Sequence, residues 1–178
     1  MSYIMTFTGK LFDPINPNPN SFDIKDIAHS LSLICRCNGH SKTFYSVGMH
    51  SINCCHEAIK RGLSNEIIIG CLLHDASEAY LSDVTRPIKK HLNYYLSVEN
   101  NLQNLIWEHF IGRKLTNDEL NVIFEIDDQM LSLEFINLMP TTLNNEYLKL
   151  IGKYDFNFIE FNKVEEEFIE LYNRYSNK

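Results

Sequence analysis

The stretch Ile67-Ile68-Ile69-Gly70-Cys71-Leu72-Leu73-His74-Asp75-Ala76-Ser77-Glu78-Ala79-Tyr80 constrains this chain more than any other. It opens as an apolar run suited to a core and ends with a histidine, an aspartate and a glutamate close together. If one helix continues through the run, His74 and Glu78 are i,i+4 neighbours and Asp75 and Glu78 are i,i+3, so all three project from one side. An ionisable cluster at the end of a core helix needs its charge compensated. A divalent cation does this with neutral imidazole and carboxylate ligands. The plainer reading is a helix that turns polar at its solvent end, with His74 capping it.

Composition narrows what such a cluster serves. The 178 residues are enough for one domain with a real core, and 44% hydrophobic with 22% charged residues is ordinary for a globular protein. We expect a single domain over residues 1–178. No apolar run approaches the length of a membrane span, and Met1-Ser2-Tyr3-Ile4-Met5-Thr6 lacks a basic segment leading into an apolar one. The five cysteines, Cys35, Cys37, Cys54, Cys55 and Cys71, form no C-x-x-C pair, which counts against a zinc ribbon. Cys71 reads as core. These features predict a cytoplasmic protein with no membrane partner. The net charge of −7 counts against a nucleic-acid polymer as partner, because such proteins need a basic surface to displace counterions. It leaves room for a small phosphorylated ligand, for which a metal ion and a few local cations suffice.

The chain reads as all-α, about six helices, with a short N-terminal hairpin over residues 3–12 around Thr8-Gly9. A proline- and asparagine-rich loop follows. Asp23 or Ser21 then caps a helix with apolar positions Ile24, Ile27, Ala28, Leu31 and Ile34, running to about Cys35. Ser46 caps a second helix that stops at Gly62, and Ser64 caps the central one. After Arg86-Pro87 a long helix is expected through Leu92 to Phe110, ending at Gly112. Thr116-Asn117-Asp118-Glu119 is a capping box that starts a helix reaching Pro140. Residues 141–157 carry no clear signal. The last helix places Phe161, Val164, Phe168, Leu171 and Tyr175 at helical spacing, with Glu165, Glu166 and Glu167 as a solvated face.

Three separate helices therefore carry candidate ligands: His50 on the second, His74 and Asp75 on the central one, and Asp127 or Asp128 before Pro140. Asp127 is i+4 from Ile123 and i−4 from Leu131, so it lies on the apolar stripe, where an aspartate needs a partner. A buried hydrogen-bond acceptor is the other reading of that position. The combination His, His-Asp, Asp is more specific than any member.

In this order, His50, His74-Asp75 and Asp127 resemble the metal-binding signature of the HD-domain phosphohydrolase superfamily. Ile27-Ala28-His29-Ser30-Leu31-Ser32, Cys35-Arg36, Gly39-His40, Phe44-Tyr45-Ser46-Val47, His50-Ser51, the stretch Leu73 to Tyr80, Asp83 and Pro87-Ile88-Lys89 extend the resemblance over roughly residues 6 to 140. They are similar to the branch holding bacterial 5'-deoxynucleotidases and, nearer still, phage-encoded HD hydrolases. Among these are dATP triphosphohydrolases of phages that replace adenine by diaminopurine.

The resemblance implies an HD-type helical bundle in which His50, His74, Asp75 and Asp127 hold one divalent metal. His₂Asp₂ suits Zn²⁺, Co²⁺, Mn²⁺ or Fe²⁺ better than Mg²⁺, and a second ion on the substrate phosphates stays open. It implies that Glu78 activates or positions the attacking water and that Asp83 assists it or contacts the sugar. It also implies that Arg36 and Lys89 face the phosphates, with Pro87 lining the base pocket and His40 a candidate phosphate contact. Cys37 stands where relatives often carry an aromatic residue, which puts base stacking there in doubt. Lys42, Arg86 and Lys90 are candidate extra cations for a triphosphate tail. The implied activity is a dNTP triphosphohydrolase, dATP favoured, releasing deoxynucleoside and triphosphate. The alternatives are a 5'-deoxynucleotidase and a non-catalytic nucleotide-binding regulatory domain. A deoxynucleotide is the implied small-molecule partner and a homo-oligomer the implied assembly, in the host cytoplasm if phage-encoded. His29 is read as a packing residue, His56 as turned away from the metal, and His91 and His109 as surface. Without further matching histidines, a mononuclear site is expected.

Overall fold

The computed structural model describes residues 3–141 and 149–176. Among them the chain is mostly helical, with one small antiparallel hairpin, β1 (Ile4–Met5) and β2 (Leu11–Phe12), paired Ile4 to Phe12 and Met5 to Leu11. Eight helices follow: α1 (Ile24–Leu33), α2 (Val47–Lys60), α3 (Asn65–Leu72), α4 (Glu78–Leu81), α5 (Arg86–Lys89), α6 (Asn93–Ile111), α7 (Asn117–Leu138) and α8 (Phe161–Tyr175). A single 3₁₀ turn lies at Pro19–Ser21, and Arg36–Gly39 is a tight turn with left-handed residues inside it.

The caps follow the sequence. Asp23, Ser46, Ser64 and Thr116 each accept a backbone N–H at the start of α1, α2, α3 and α7. Glu119 returns the bond to the Thr116 N–H at 2.8 Å and closes the capping box. Gly112, with φ +86°, ends α6 in the left-handed region.

Eight helices stand where about six were expected, because two long helices are interrupted. The central one stops at Leu72. Leu73 has φ −106° and ψ 8°, and the amides of Ala76 and Glu78 then bond three residues back, to Leu73 and Asp75. His74 therefore leaves the helical ladder, and the i,i+4 relation of His74 and Glu78 is not helical geometry. The cause is local. His74 Nδ1–H donates to the carbonyl of Cys71 at 2.7 Å, satisfying an orphan carbonyl at the end of α3. The helix expected to run from Arg86-Pro87 through Leu92 is likewise two, since Leu92 (φ −109°, ψ 66°) separates α5 from α6. The first helix ends at Leu33, with Ile34 already extended.

The core is one hydrophobic cluster to which every long helix contributes, with Ile27 and Leu31 from α1, Ile52 from α2, Leu72 from α3, Leu102 and Ile106 from α6, Ile123, Ile126 and Met130 from α7 and Phe168 from α8, all fully buried. Two glycines set how closely the site-bearing helices approach. A Cβ at Gly48 would stand 3.1 Å from the backbone of Leu31 and Ser32, so α2 crosses α1 at near contact. A Cβ at Gly70 would stand 2.5 Å from Ile123 Cδ1, which brings α3 against α7.

The acidic run on α8 is not simply solvated. Glu165 bonds His29 Nδ1 at 2.9 Å and Glu167 bonds His56 Nε2 at 2.8 Å, tying α8 to α1 and α2, while Glu166 is exposed. His29 also stacks on Phe7 with ring centroids 3.7 Å apart, so it packs the hairpin against α1.

Candidate metal centre

His50 sits in the first turn of α2, wholly buried, and its tautomer follows from its partner. Nδ1 lies 2.6 Å from Glu134 Oε1, on α7. Burial raises the pKa of Glu134, but His50 and Arg36 outweigh it and hold the carboxyl below the usual range. The carboxylate accepts, so Nδ1 carries a proton and Nε2 is the ring atom turned to the site. His74 Nδ1 likewise donates, to the Cys71 carbonyl, which can only accept, and its Nε2 is turned to the same place. The two Nε2 atoms face each other at 3.0 Å. Asp127 Oδ1 stands 3.0 Å from His50 Nε2 and 3.6 Å from His74 Nε2, and Asp75 Oδ2 stands 3.8 and 3.4 Å from the same atoms.

Two imidazole Nε2 atoms and two carboxylate oxygens thus converge. Metal–ligand bonds of about 2.1 Å at angles between octahedral and tetrahedral place neighbouring ligand atoms about 2.9–3.4 Å apart. Separations of 3.0, 3.0 and 3.4 Å fall within that range, and those of 3.6 and 3.8 Å lie above it. Burial disfavours charge on His74, yet Asp75 and Asp127 outweigh burial and raise its pKa well above the ordinary value. Burial would likewise raise the two carboxyls. His50 and His74 instead pull Asp127 well below its usual range, and His74 and Arg36 do the same for Asp75. Both carboxyls are thus held ionised beside the imidazoles.

Cys54, one turn after His50 on α2, enters the same space. Its Sγ is 3.7 Å from His50 Nε2, and His50, Cys54 and His74 form a group that can hold a metal ion. Sequence reasoning counted Cys54 but did not connect it to the site, although the i,i+4 spacing was there to read. Burial, followed by the nearby Asp127, pushes its thiol well above the ordinary range and keeps it protonated.

The cluster lies beneath an open cavity of about 610 Å³ whose lining includes Arg36, His40, Asp75, Glu78, Asp83, Pro87, Lys89 and Asp127. With His50 and His74 beneath it, one region gathers these ten residues, Arg36, His40, His50, His74, Asp75, Glu78, Asp83, Pro87, Lys89 and Asp127. Glu78 is buried. Its Oε1 is 3.5 Å from Lys89 Nζ, and its Oε2 has no hydrogen-bond partner among the described residues. Burial, then Asp75 and Asp83, raise its pKa well above the usual glutamate value against the pull of Lys89 and Arg36. Asp83 Oδ2 accepts the backbone N–H of Cys37 at 3.2 Å. Cys37 (φ 55°) and Asn38 (φ 52°) are both left-handed without being glycine, so this loop carries strain against the cavity.

Arg36 is committed to the cluster. Its Nη1 donates to Asp75 Oδ2 at 3.1 Å, and its Nε forms an ion pair with Glu134 Oε2 at 3.3 Å without hydrogen-bond alignment. Of the two candidate aspartates on α7, Asp127 faces the imidazoles, whereas Asp128 is turned outward onto Arg86. The lining includes Arg86 but neither Lys42 nor Lys90, and Lys42 bonds instead to the carbonyl of Asn137. Leu131, Phe135 and Met139 form an apolar wall on the same cavity. An aromatic residue thus comes from α7, eight residues past Asp127 on the same face, while Cys37 occupies the position where one was sought.

No family model matches the chain. It is similar to the uncharacterized protein YfdR of Escherichia coli (strain K12), 39% identical over 110 residues, covering 62% of this chain and 59% of that protein. The uncharacterized protein RCAP_rcc00048 of Rhodobacter capsulatus is 36% identical over 87 residues, 46% of this chain and 44% of that protein. The chain therefore spans about half the length of these relatives. No helix among the described residues is long and apolar enough to cross a membrane.

Proposed function

We propose that this chain is a metal-dependent phosphohydrolase of the HD-domain type acting on deoxynucleotides, with dNTP triphosphohydrolysis as its reaction. The observation that carries the reading is the meeting of two imidazole Nε2 atoms and two carboxylates at 3.0–3.8 Å beneath a cavity that also holds Glu78, Arg36 and Lys89. That donor set fits one borderline divalent ion, Zn²⁺, Co²⁺, Mn²⁺ or Fe²⁺, more readily than Mg²⁺.

Such an ion would supply Lewis acidity and an acidified water. The side chains supply the rest. Glu78, with an unpartnered oxygen and a raised pKa, is suited to exchange a proton with a water in the cavity. Asp83 lies on the same cavity, placed to orient that water or a sugar hydroxyl. Lys89 and Arg36 set fixed positive charge where phosphoryl oxygens gain negative charge. Leu131, Phe135, Met139 and Pro87 offer apolar surface for a base. The preference for dATP rests on the resemblance alone. The reading implies a cytoplasmic enzyme, where nucleotide pools are.

Product analysis tests it. Co²⁺- or Mn²⁺-loaded protein is given the four dNTPs and their monophosphates, and products are separated by ion exchange. Deoxyadenosine with intact triphosphate is the expected result. Orthophosphate from monophosphates alone would make the protein a 5'-deoxynucleotidase, and no product with metal bound would favour a regulatory nucleotide-binding role.

A further inference from the structure

Besides His40, three basic side chains line the cavity, and they are committed very differently. The Arg36 side chain, 11% exposed, holds Asp75 and Glu134. Lys89, 20% exposed, donates to Glu99 at 2.8 Å and lies 3.5 Å from Glu78. Withdrawing either strips a buried carboxylate of its partner, which is costly. Arg86 on α5 is different. Its side chain is 61% exposed and spans two carboxylates, Asp127 Oδ2 at 2.8 Å and Asp128 Oδ1 at 2.6 Å. Asp128 is itself 63% exposed, and an ion pair open to water to this degree is weak. Asp127 would not be orphaned by its departure, because Oδ1 stays on the imidazoles while only Oδ2 faces Arg86.

We propose that Arg86 is the residue that selects a polyphosphate tail, exchanging Asp127 and Asp128 for the phosphates beyond the one attacked. This deepens the phosphohydrolase reading and rests on it. A guanidinium fork matches two phosphate oxygens as well as it matches two carboxylates, so the exchange preserves its hydrogen bonding. A monophosphate, already met by the metal centre, Arg36 and Lys89, gains little from Arg86. A triphosphate carries charge that those groups do not neutralise. Asp128 is then the intramolecular competitor, and its carboxylate sets how readily Arg86 is released.

The test uses Co²⁺-loaded protein carrying Glu78→Gln to stop turnover, titrated calorimetrically with dATP and with dAMP, with metal content measured afterwards. Adding Arg86→Gln is expected to weaken dATP about tenfold or more, the loss of a charge-assisted contact, and dAMP by less than about threefold. Adding Asp128→Asn instead is expected to tighten dATP about two- to fivefold, the scale of one exposed ion pair. Equal weakening of both nucleotides by Arg86→Gln, no gain from Asp128→Asn, or loss of metal from the Arg86→Gln protein would each overturn the proposal while leaving the phosphohydrolase reading in place. Failure of the metal-loaded parent to bind either nucleotide would bring down that reading, and the role of Arg86 with it.

Discussion

Replacing Glu134 by glutamine tests the centre at its least visible member. Glu134 touches no substrate surface, yet Oε1 fixes the His50 proton on Nδ1 at 2.6 Å and Oε2 pairs with Arg36 at 3.3 Å, which in turn holds Asp75. One buried carboxylate thereby orients two of the four ligands. Glutamine keeps the shape and removes the charge. A hydrogen bond to a charged group contributes about 1.5–3 kcal/mol and a neutral one about half that, so the imidazole loses roughly 1–1.5 kcal/mol of orientation and basicity. Loss of the Arg36 partner adds to this. Outer-shell changes at metal sites cost about 10- to 100-fold in affinity, or roughly 1.4–2.8 kcal/mol, and the glutamine variant is expected within that range. Chelator competition for Co²⁺ measures the affinity, and urea unfolding of the metal-free protein separates it from stability. Stability should fall too, but by less than the ~3–5 kcal/mol of a fully broken buried pair, because Arg36 keeps Asp75. Unchanged metal affinity in a destabilised protein would refute the tautomer argument and leave Glu134 as a partner of Arg36 alone.

Four further outcomes follow from the geometry. Asp75→Ala is expected to abolish metal content whereas Cys54→Ser retains it, because the Cys54 Sγ stands 3.7 Å from His50 Nε2 while the Asp127 carboxylate approaches to 3.0 Å; elemental analysis showing the reverse would make His50, Cys54 and His74 the ligand set. Glu78→Gln should keep the metal and lose about 10²- to 10⁴-fold in turnover, the usual worth of a general acid–base, and full activity would remove Glu78 from that role. Gly48→Ala forces a methyl against the backbone of Leu31 and Ser32 and should destabilise by about 1–3 kcal/mol, read as a fall in unfolding midpoint; an unchanged midpoint would mean that α1 and α2 separate freely. The Arg113 and Thr116 hydrogen bonds pull Glu119 down to about 2, so its stabilisation of α7 is complete above the ordinary glutamate range and disappears as pH falls through about 2. Glu119→Gln should therefore lower the melting temperature at pH 7 and have little effect near pH 2, and a pH-independent difference would contradict the linkage.

Much of the site was legible along the chain because its parts are local. Caps at Asp23, Ser46, Ser64 and Thr116 announce helices through short-range bonds, and His50, His74-Asp75 and Asp127 stand out as polar groups set into apolar patterns. The preference for Asp127 over Asp128 came from the apolar stripe of α7, and the structure turns the two residues as that stripe requires. Three features were not legible. The break at Leu72 depends on His74 taking the Cys71 carbonyl, a bond that competes with continuing the helix and that no periodicity reports. The pairing of Glu165 and Glu167 with His29 and His56 spans more than a hundred residues of chain, so a run that looked solvated became a clasp. Cys54 was hidden because a cysteine inside an apolar helix reads as core until a second helix brings His74 beside it.

What the sequence alone determined is the inventory: the helical class, the starts of the four capped helices, and which side chains are chemically able to bind a cation. Only the tertiary structure decided how those side chains are charged and aimed. Tautomer, ionisation and commitment to a partner depend on distances between residues far apart in the chain, from Glu134 to His50, Arg36 to Asp75 and Arg86 to Asp128. Those distances come from the close crossings at Gly48 and Gly70, where helices without intervening side chains bring the separate ligands together.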